Sequence, residues 1–240
     1  MSGSRQDDLS NMNSAISKTI NLPSNNGFRK YLYGISNPGH RYEGRYRLDY
    51  GRDYNPVSSF EVFYPQQSFT DYRTSMYVID ELYQKEWYQS VYGEIPTNFT
   101  KIDVDFNYLS TSYDNFEITT SGDYIKIISA WRSDSYSGYW SISGGKEDKK
   151  YALPVFPNSA KQLFNLNRTS FNLCLTDIVD YPELLSNSEV LNIGFNSPDY
   201  FYDVVNEFRR YTKYAPDGLL KQGSKKVSSV ELLREPFMDY

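Results

Sequence analysis

The chain alternates polar and apolar side chains without a fault over one stretch, Lys101-Ile102-Asp103-Val104-Asp105-Phe106-Asn107-Tyr108. A period of two is typical of a β-strand with one buried face and one face in water. Asp103 and Asp105 share the polar face, but alternating strands place carboxylates there routinely and no histidine accompanies them. The stretch therefore predicts a half-buried strand rather than a metal site or an acid pair.

Short strands are predicted on both sides of this stretch. After it, they lie at about 116–121, 124–130, 138–143, 150–156, 170–176 and 189–195. Gly122-Asp123 fits a two-residue hairpin loop between the first two of these. Before it, residues 28–72 alternate tyrosine with arginine and apolar residues, and glycines and prolines divide them into short strands. The sequence predicts a mainly β protein, an antiparallel β-sandwich with helices.

Three amphipathic helices interrupt the predicted strands. The first runs from about Arg5 to Ile20, and its apolar stripe consists of Leu9, Met12, Ile16 and Ile20. The others lie near residues 73–92, ended by Gly93, and near residues 198–213, capped by Ser197. A polar loop separates the first helix from the rest, which predicts an arm of residues 1–27 and a single domain of residues 28–240. A short detached helix needs a neighbour, either its own body or another subunit.

Groups that make contacts outnumber groups that carry out reactions. Twenty-four of the 240 residues are tyrosine, whereas histidine and cysteine occur once each. No phosphate loop, metal-ligand spacing or nucleophile motif is present. Cys174 is predicted to be structural, on the strand face opposite the leucines, because the one histidine, His40, is distant in sequence. These features favour a structural protein over an enzyme, with no catalytic residue, no metal and no required cofactor.

Charge and hydropathy exclude further classes. The formal net charge of −5 gives no general footprint for nucleic acid. In residues 28–72, acids nearly cancel the arginines, which favours ordinary tyrosine and arginine contacts over a surface for single-stranded bases. No apolar run reaches the about 20 residues that cross a bilayer. The chain starts without a secretory signal, which favours synthesis inside the cell.

The order of elements resembles that of the polyhedrins of cypoviruses, which form the crystals that enclose virus particles in infected insect cells. The resemblance covers about residues 28–215 and rests on several stretches: the tyrosine-rich strands leading into the helix Tyr72-Arg73 to Trp87-Tyr88, the strand Ile102-Asp103-Val104-Asp105-Phe106, the strand, glycine turn and proline-bearing strand from Trp140 through Gly144-Gly145 to Ala152-Leu153-Pro154-Val155, the strand Ser170-Phe171-Asn172-Leu173, and the late helix from Asp203 to Tyr211. The chain length, the tyrosine content and the detached N-terminal helix also resemble that family.

This resemblance implies a jelly-roll-like sandwich whose projecting N-terminal helix locks neighbouring trimers together. It also implies assembly in the host cell cytoplasm, in occlusion bodies, with other copies and virus particles as partners. Dissolution in an alkaline gut completes the expectation. Some crystals of the family hold nucleotides, but no motif places a nucleotide site on this chain. Two other classes stay open: another virion or phage structural protein with a jelly-roll body, and a carbohydrate-binding module.

The composition predicts a response to alkali. Above about pH 10 the 24 tyrosines gain charge and 13 lysines lose it, which takes the chain toward a limit of about −42. The candidate switch residues are interleaved with arginines, which favour the phenolate: Tyr42, Tyr46, Tyr50 and Tyr54. The alternative is that all four are ordinary strand and interface tyrosines.

Overall fold

A computed structural model describes residues 15–37, 41, 45–65, 69–80, 84–133, 139–155, 157–159, 162, 171–196 and 205–215. The strands in these ranges are β1 (Ala15–Asn21), β2 (Gly27–Ile35), β3 (Arg45–Asp53), β4 (Ser59–Pro65), β5 (Asp71–Asp80), β6 (Lys85–Gly93), β7 (Val104–Ser112), β8 (Asn115–Gly122), β9 (Lys126–Ser133), β10 (Tyr139–Gly145), β11 (Lys150–Tyr151), β12 (Phe171–Asp180) and β13 (Glu207–Tyr214). Helix α1 spans Asn187–Asn196. All ladders between these strands are antiparallel, which confirms the mainly antiparallel β class.

Eight of the strands form one sheet in the order β10-β9-β12-β13-β6-β5-β2-β3. Strand β13 comes late in the chain but lies in the middle of this sheet, between β12 and β6. It joins the group β10, β9 and β12 to the group β6, β5, β2 and β3. The remaining strands form a two-stranded sheet, β1-β4, and a three-stranded sheet, β11-β8-β7.

One face of the eight-stranded sheet carries the two main hydrophobic clusters, and we call it the core face. A single row of directly paired residues crosses six strands on this face: Phe28, Val78, Trp87, Tyr211, Ile178 and Ile127. Ile20 of β1 and Phe60 of β4 pack in one cluster, and Phe116 of β8 packs in the other. The two small sheets therefore cover the core face side by side. The opposite side of the sheet is called the outer face.

The predicted half-buried strand is confirmed for residues 104–108, which lie in β7, whereas residues 101–103 precede the strand. Ile102 and Phe106 are buried, whereas Asp103 and Asp105 are exposed. The predicted Gly122-Asp123 hairpin is wrong, because β8 belongs to the three-stranded sheet and β9 to the eight-stranded one. Gly122 has a φ of +88° and passes against the backbone of Asp103 where the chain changes sheets, which explains the glycine.

The predicted helix over residues 73–92 is wrong, since β5 and β6 form an antiparallel pair there. The apolar spacing matched a helix, but the pattern also alternates with a period of two. Met76 and Val78 lie on the core face, while Ser75 and Tyr77 lie on the outer face. Aromatic and β-branched residues favour this extended form. Gln84 adopts a φ of +55° just before β6 begins.

The predicted helix over residues 198–213 is also wrong for residues 207–214, which form β13; residues 198–204 lie outside the described ranges. The strand predicted at 189–195 is in fact part of α1. The local signal for α1 is a capping arrangement, because the amide of Glu189 donates to the Ser186 hydroxyl over 3.3 Å. The Glu189 carboxylate in turn accepts the amide of Leu185 at 2.6 Å.

The predicted N-terminal helix is wrong for residues 15–20, since β1 pairs with β4 along its whole length. Ile20 is fully buried against the core face, whereas Ile16 is 37% exposed at the start of the strand. Leu9 and Met12 lie outside the described residues. Residues 15–21 are thus integrated into the body of the protein, and the division into an arm and a single domain stays a prediction.

Candidate functional site

The candidate site is the outer face of β2, β3, β5, β6 and β13. In β3, arginines and aspartates that are close in the sequence lie on opposite faces of the strand. Strand pairing places Arg47 opposite Tyr33, and Arg52 opposite Arg29, on the outer face. Asp49 lies on the core face, where it accepts hydrogen bonds from Lys30 Nζ at 2.6 Å and from the Phe63 amide at 3.0 Å. Asp49 and Asp53 therefore lie on the face of β3 opposite to Arg47 and Arg52, and Glu43, the third acid in the expected cancellation, lies outside the described residues.

A continuous row of aromatic rings crosses the outer face, and we call it the tyrosine row. Its members, with successive centroids 5.0, 6.2, 4.5, 5.4 and 5.2 Å apart, are Tyr50, Tyr31, Tyr77, Tyr88, Phe208 and Tyr181. Such tilted and edge-to-face pairs contribute about 0.5–1.5 kcal/mol each beyond area burial. The row stiffens this side of the sheet over five strands.

Arginines lie against the rings of the outer face. Arg29 is 5.2 Å from the Tyr77 centroid, Arg210 is 5.3 Å from Tyr88, and Arg45 is 5.4 Å from Tyr33. At these distances the guanidinium charge is attracted by the ring face. The arrangement holds cations at the surface of the sheet.

A buried polar cluster lies beside the tyrosine row. Arg73 Nε donates to Ser90 Oγ at 3.2 Å and Arg73 Nη2 donates to the Tyr88 hydroxyl at 3.4 Å, which donates to Ser75 Oγ at 3.3 Å. Among the described residues, no carboxylate forms an ion pair with Arg73. Burial is the largest single effect and opposes the Tyr88 phenolate, but the charge of Arg73 together with hydrogen bonds with Ser75, Ser90 and Arg73 lowers the pKa of Tyr88 below its ordinary value. The Arg73 charge is thus compensated by hydroxyls and ring faces.

The structure does not bring the four predicted switch tyrosines into one site. Tyr42 lies outside the described residues. Tyr46 and Tyr54 are 59% and 56% exposed, and the Arg52 guanidinium is 5.7 Å from the Tyr54 centroid. Tyr50 is half-buried in the tyrosine row. Their role as an alkaline switch stays a prediction.

Burial raises the pKa of several other tyrosines: Tyr31, Tyr33, Tyr72, Tyr108, Tyr124, Tyr151 and Tyr211. The rise is largest for Tyr108, Tyr151 and Tyr211 in the main core. A phenol with a raised pKa stabilises the fold below about pH 10, and this contribution is lost as the pH rises above that value. Strong alkali therefore acts on the fold itself as well as on exposed contacts.

Cys174 is buried, and burial raises the pKa of its thiol. The expectation that both leucines lie opposite Cys174 is wrong. A bulge between Leu173 and Leu175 puts Leu175 in a small cluster with Cys174 and Ala130, while Leu173 packs in the main core. His40 lies outside the described residues. Within the described ranges, no group of three or more histidine, cysteine, aspartate or glutamate side chains is arranged to hold a metal ion.

Comparison of the chain with protein-family models, with curated proteins and with solved structures finds no match. In the part of the chain that the structure describes, no helix has the length and apolar character to span a bilayer.

Proposed function

We propose that this chain is a structural building block that self-associates into an ordered assembly, and that it acts as the matrix protein of an intracellular viral occlusion body. The observation that carries the proposal is the edge strand β3. Among the described strands it has one hydrogen-bonded neighbour, β2, and it ends the eight-stranded sheet. The edge of β3 that points away from β2 carries backbone donors and acceptors of the kind that pair with another chain.

The side chains at this edge fit a protein contact. Tyr46 and Tyr54 are each more than half exposed at or just after β3, and Arg47 and Arg52 are exposed beside them. Tyrosine and arginine are enriched at protein interfaces because they bury a large area at low entropy cost and still provide hydrogen bonds. The small net charge of −5 leaves little repulsion between copies at neutral pH.

The resemblance to cypovirus polyhedrins supplies the rest of the proposal. The two layers formed by the large sheet and the small sheets support a compact sandwich-like unit, and a jelly-roll connectivity is the finer form of this proposal. Trimers in a crystal lattice, enclosed virus particles and a cytoplasmic location belong to it as well. The assembly dissolves in strong alkali, because tyrosines ionise and lysines become neutral above about pH 10.

Expression of the full chain in insect cells tests the proposal. We expect crystalline bodies in the cytoplasm by electron microscopy, and their loss when Tyr46 and Tyr54 are both changed to serine. A matched control is Leu109→Ser, which removes a large side chain that is 61% exposed on β7, a strand of the three-stranded sheet and not of the sheet that contains β3. Crystals unaffected by the tyrosine changes would refute the role of the β3 edge. A chain that stays monomeric at all concentrations would refute self-assembly, and closed shells would indicate a virion protein instead.

The N-terminal arm requires a truncation that spares β1. Removal of residues 1–22 would delete Ile20 from the core and destabilise the body, so its effect on assembly would be ambiguous. Removal of residues 1–14 leaves β1 in place. Loss of crystals in this shorter truncation, with unchanged thermal stability, is the result expected if Leu9 and Met12 contact a neighbouring copy. Unchanged crystals would contradict that contact.

A further inference from the structure

We propose that the outer face of β2, β3 and β5 binds single-stranded nucleic acid, with bases stacked on Tyr31 and Tyr33 and phosphates held by the surrounding arginines. This function goes beyond self-assembly. It uses the face of the sheet and shares Arg47 and Arg52 with the proposed self-association, whereas the edge of β3 and the exposed rings of Tyr46 and Tyr54 belong to self-association alone.

Two tyrosine rings of β2 form the proposed stacking surface. Tyr31 and Tyr33 lie two residues apart on β2 and point to the same face, with planes 9° apart and centroids 6.4 Å apart. Both are half-buried, so part of each ring remains in contact with solvent. Tyr50 of β3 extends the pair, 5.0 Å from Tyr31. Near-parallel rings on an open sheet form a stacking platform for successive bases.

The same face of the sheet carries positively charged side chains. Apart from the buried and compensated Arg73, the described residues on the outer face of β2, β3 and β5 include one acid, Asp71, and four arginines, Arg29, Arg45, Arg47 and Arg52. The described residues of this patch therefore include more arginines than acids, although the formal total of the chain is −5. Local positive charge of this kind attracts a phosphate backbone even when the whole protein is acidic.

These arginines lie close to the two tyrosine rings. Arg45 is 5.4 Å from the Tyr33 centroid, and Arg73 and Arg47 also act electrostatically on Tyr33. Arg29 and Arg47 act on Tyr31. The two rings are therefore surrounded by guanidinium groups from three strands. A ligand that matches them must combine flat rings with regularly spaced anions.

Single-stranded nucleic acid has both properties. A duplex keeps its bases stacked inside and offers no ring face to the two tyrosines, whereas unpaired bases can be splayed onto aromatic side chains. An acidic peptide or a sulfated polysaccharide provides the anions without the planar rings. Stacking on ring faces and contacts with phosphates do not read base edges, so we expect binding without strong sequence preference.

The test uses the full chain and labelled oligonucleotides of about 20 nucleotides, long enough for the 4–16 nucleotides that a small β-domain covers. Fluorescence anisotropy at several salt concentrations is measured with oligouridylate, oligothymidylate, a duplex of equal length, polyglutamate and uridine monophosphate. We expect both single strands to bind more tightly than the duplex, with affinity falling as salt rises. The affinity for either single strand should also exceed the affinities for polyglutamate and for uridine monophosphate.

Variants connect the binding to the face. Tyr33→Leu keeps an apolar side chain but removes the ring, and we expect about tenfold weaker binding. Arg47→Gln removes an exposed charge, and we expect the slope of log affinity against log salt to become shallower by about 0.7. The matched control is Lys150→Gln, because Lys150 is exposed and paired with Glu117 on the small sheet. Circular dichroism checks that each variant is folded.

Several outcomes would overturn the proposal. Equal binding of duplex and single strands would exclude base stacking, and tighter binding of polyglutamate would indicate an acidic protein partner. Equal affinity for uridine monophosphate would indicate a site for a single nucleotide. A loss caused by Lys150→Gln but not by Arg47→Gln would place the contact elsewhere. Since the exposed Arg47 is replaced without touching the core, its result decides the question even if Tyr33→Leu fails to fold.

Discussion

Replacing Ile20 with alanine tests whether residues 15–21 form a strand of the body or a helix that contacts a neighbour. Ile20 is fully buried between β4 and the core face, whereas Ile16, four residues earlier, is 37% exposed. Ile20→Ala removes three carbons, which is about 2.4 kcal/mol of transfer free energy. The cavity that remains brings the expected loss of unfolding free energy to about 2–5 kcal/mol. Ile16→Ala, the matched control, should cost less than about 1 kcal/mol.

Urea unfolding followed by tryptophan fluorescence measures both changes, since Trp131 and Trp87 report on the main core. The protein is kept dilute so that self-association does not contribute. A projecting helix would place both isoleucines in one stripe outside the body, and both changes would then leave the monomer stability almost unaltered. That result, or equal losses for the two variants, would refute the packing of β1 against the core face.

Three further predictions concern single positions. The variant Gly122→Ala should have a melting temperature well below that of Gly93→Ala. Both glycines have a positive φ, so each alanine costs about 1 kcal/mol of backbone strain. At Gly122 the added Cβ would also lie 2.1 Å from the Asp103 carbonyl oxygen, whereas Gly93 faces open space. Equal melting temperatures would contradict the close approach. In an alkaline titration, part of the tyrosinate absorbance should appear only together with unfolding, because burial raises the pKa of Tyr108 and similar residues; complete ionisation near pH 10 with unchanged circular dichroism would be inconsistent with their burial. Cys174 should react slowly with a thiol reagent in the native protein and rapidly in urea, and fast native labelling would show that the thiol is accessible.

Local alternation was enough to predict a strand over residues 104–108 and the antiparallel β class. The pattern of β5 and β6 was misread because its apolar spacing also satisfies a helical period, and the choice between the two depends on partners that are distant in the sequence. Thr74 and Ser90, for example, are buried only because neighbouring strands cover them. Tertiary pairing overrides local propensity in such segments.

The candidate site was harder to predict than the class of fold. Along the chain, Asp49 and Asp53 offset the nearby arginines, and only the register of β2 with β3 shows that the charges face opposite ways. No single-sequence pattern fixes that register. The start of α1, in contrast, had a readable signal in Ser186 and Glu189, three residues apart, which the strand prediction at 189–195 overlooked.

The central position of β13 has a consequence for synthesis. Strand β6 ends at Gly93 and its neighbour β13 begins at Glu207, so 113 residues leave the ribosome between them. At about 5–20 residues per second, the side of β6 that β13 will cover stays unpaired for roughly 6–23 s in every nascent chain. During this interval β13 of another copy can insert in its place, because an exchanged strand makes the same hydrogen bonds as the chain's own. Crowded translation would thus favour strand-exchanged dimers, and slow initiation would favour monomers.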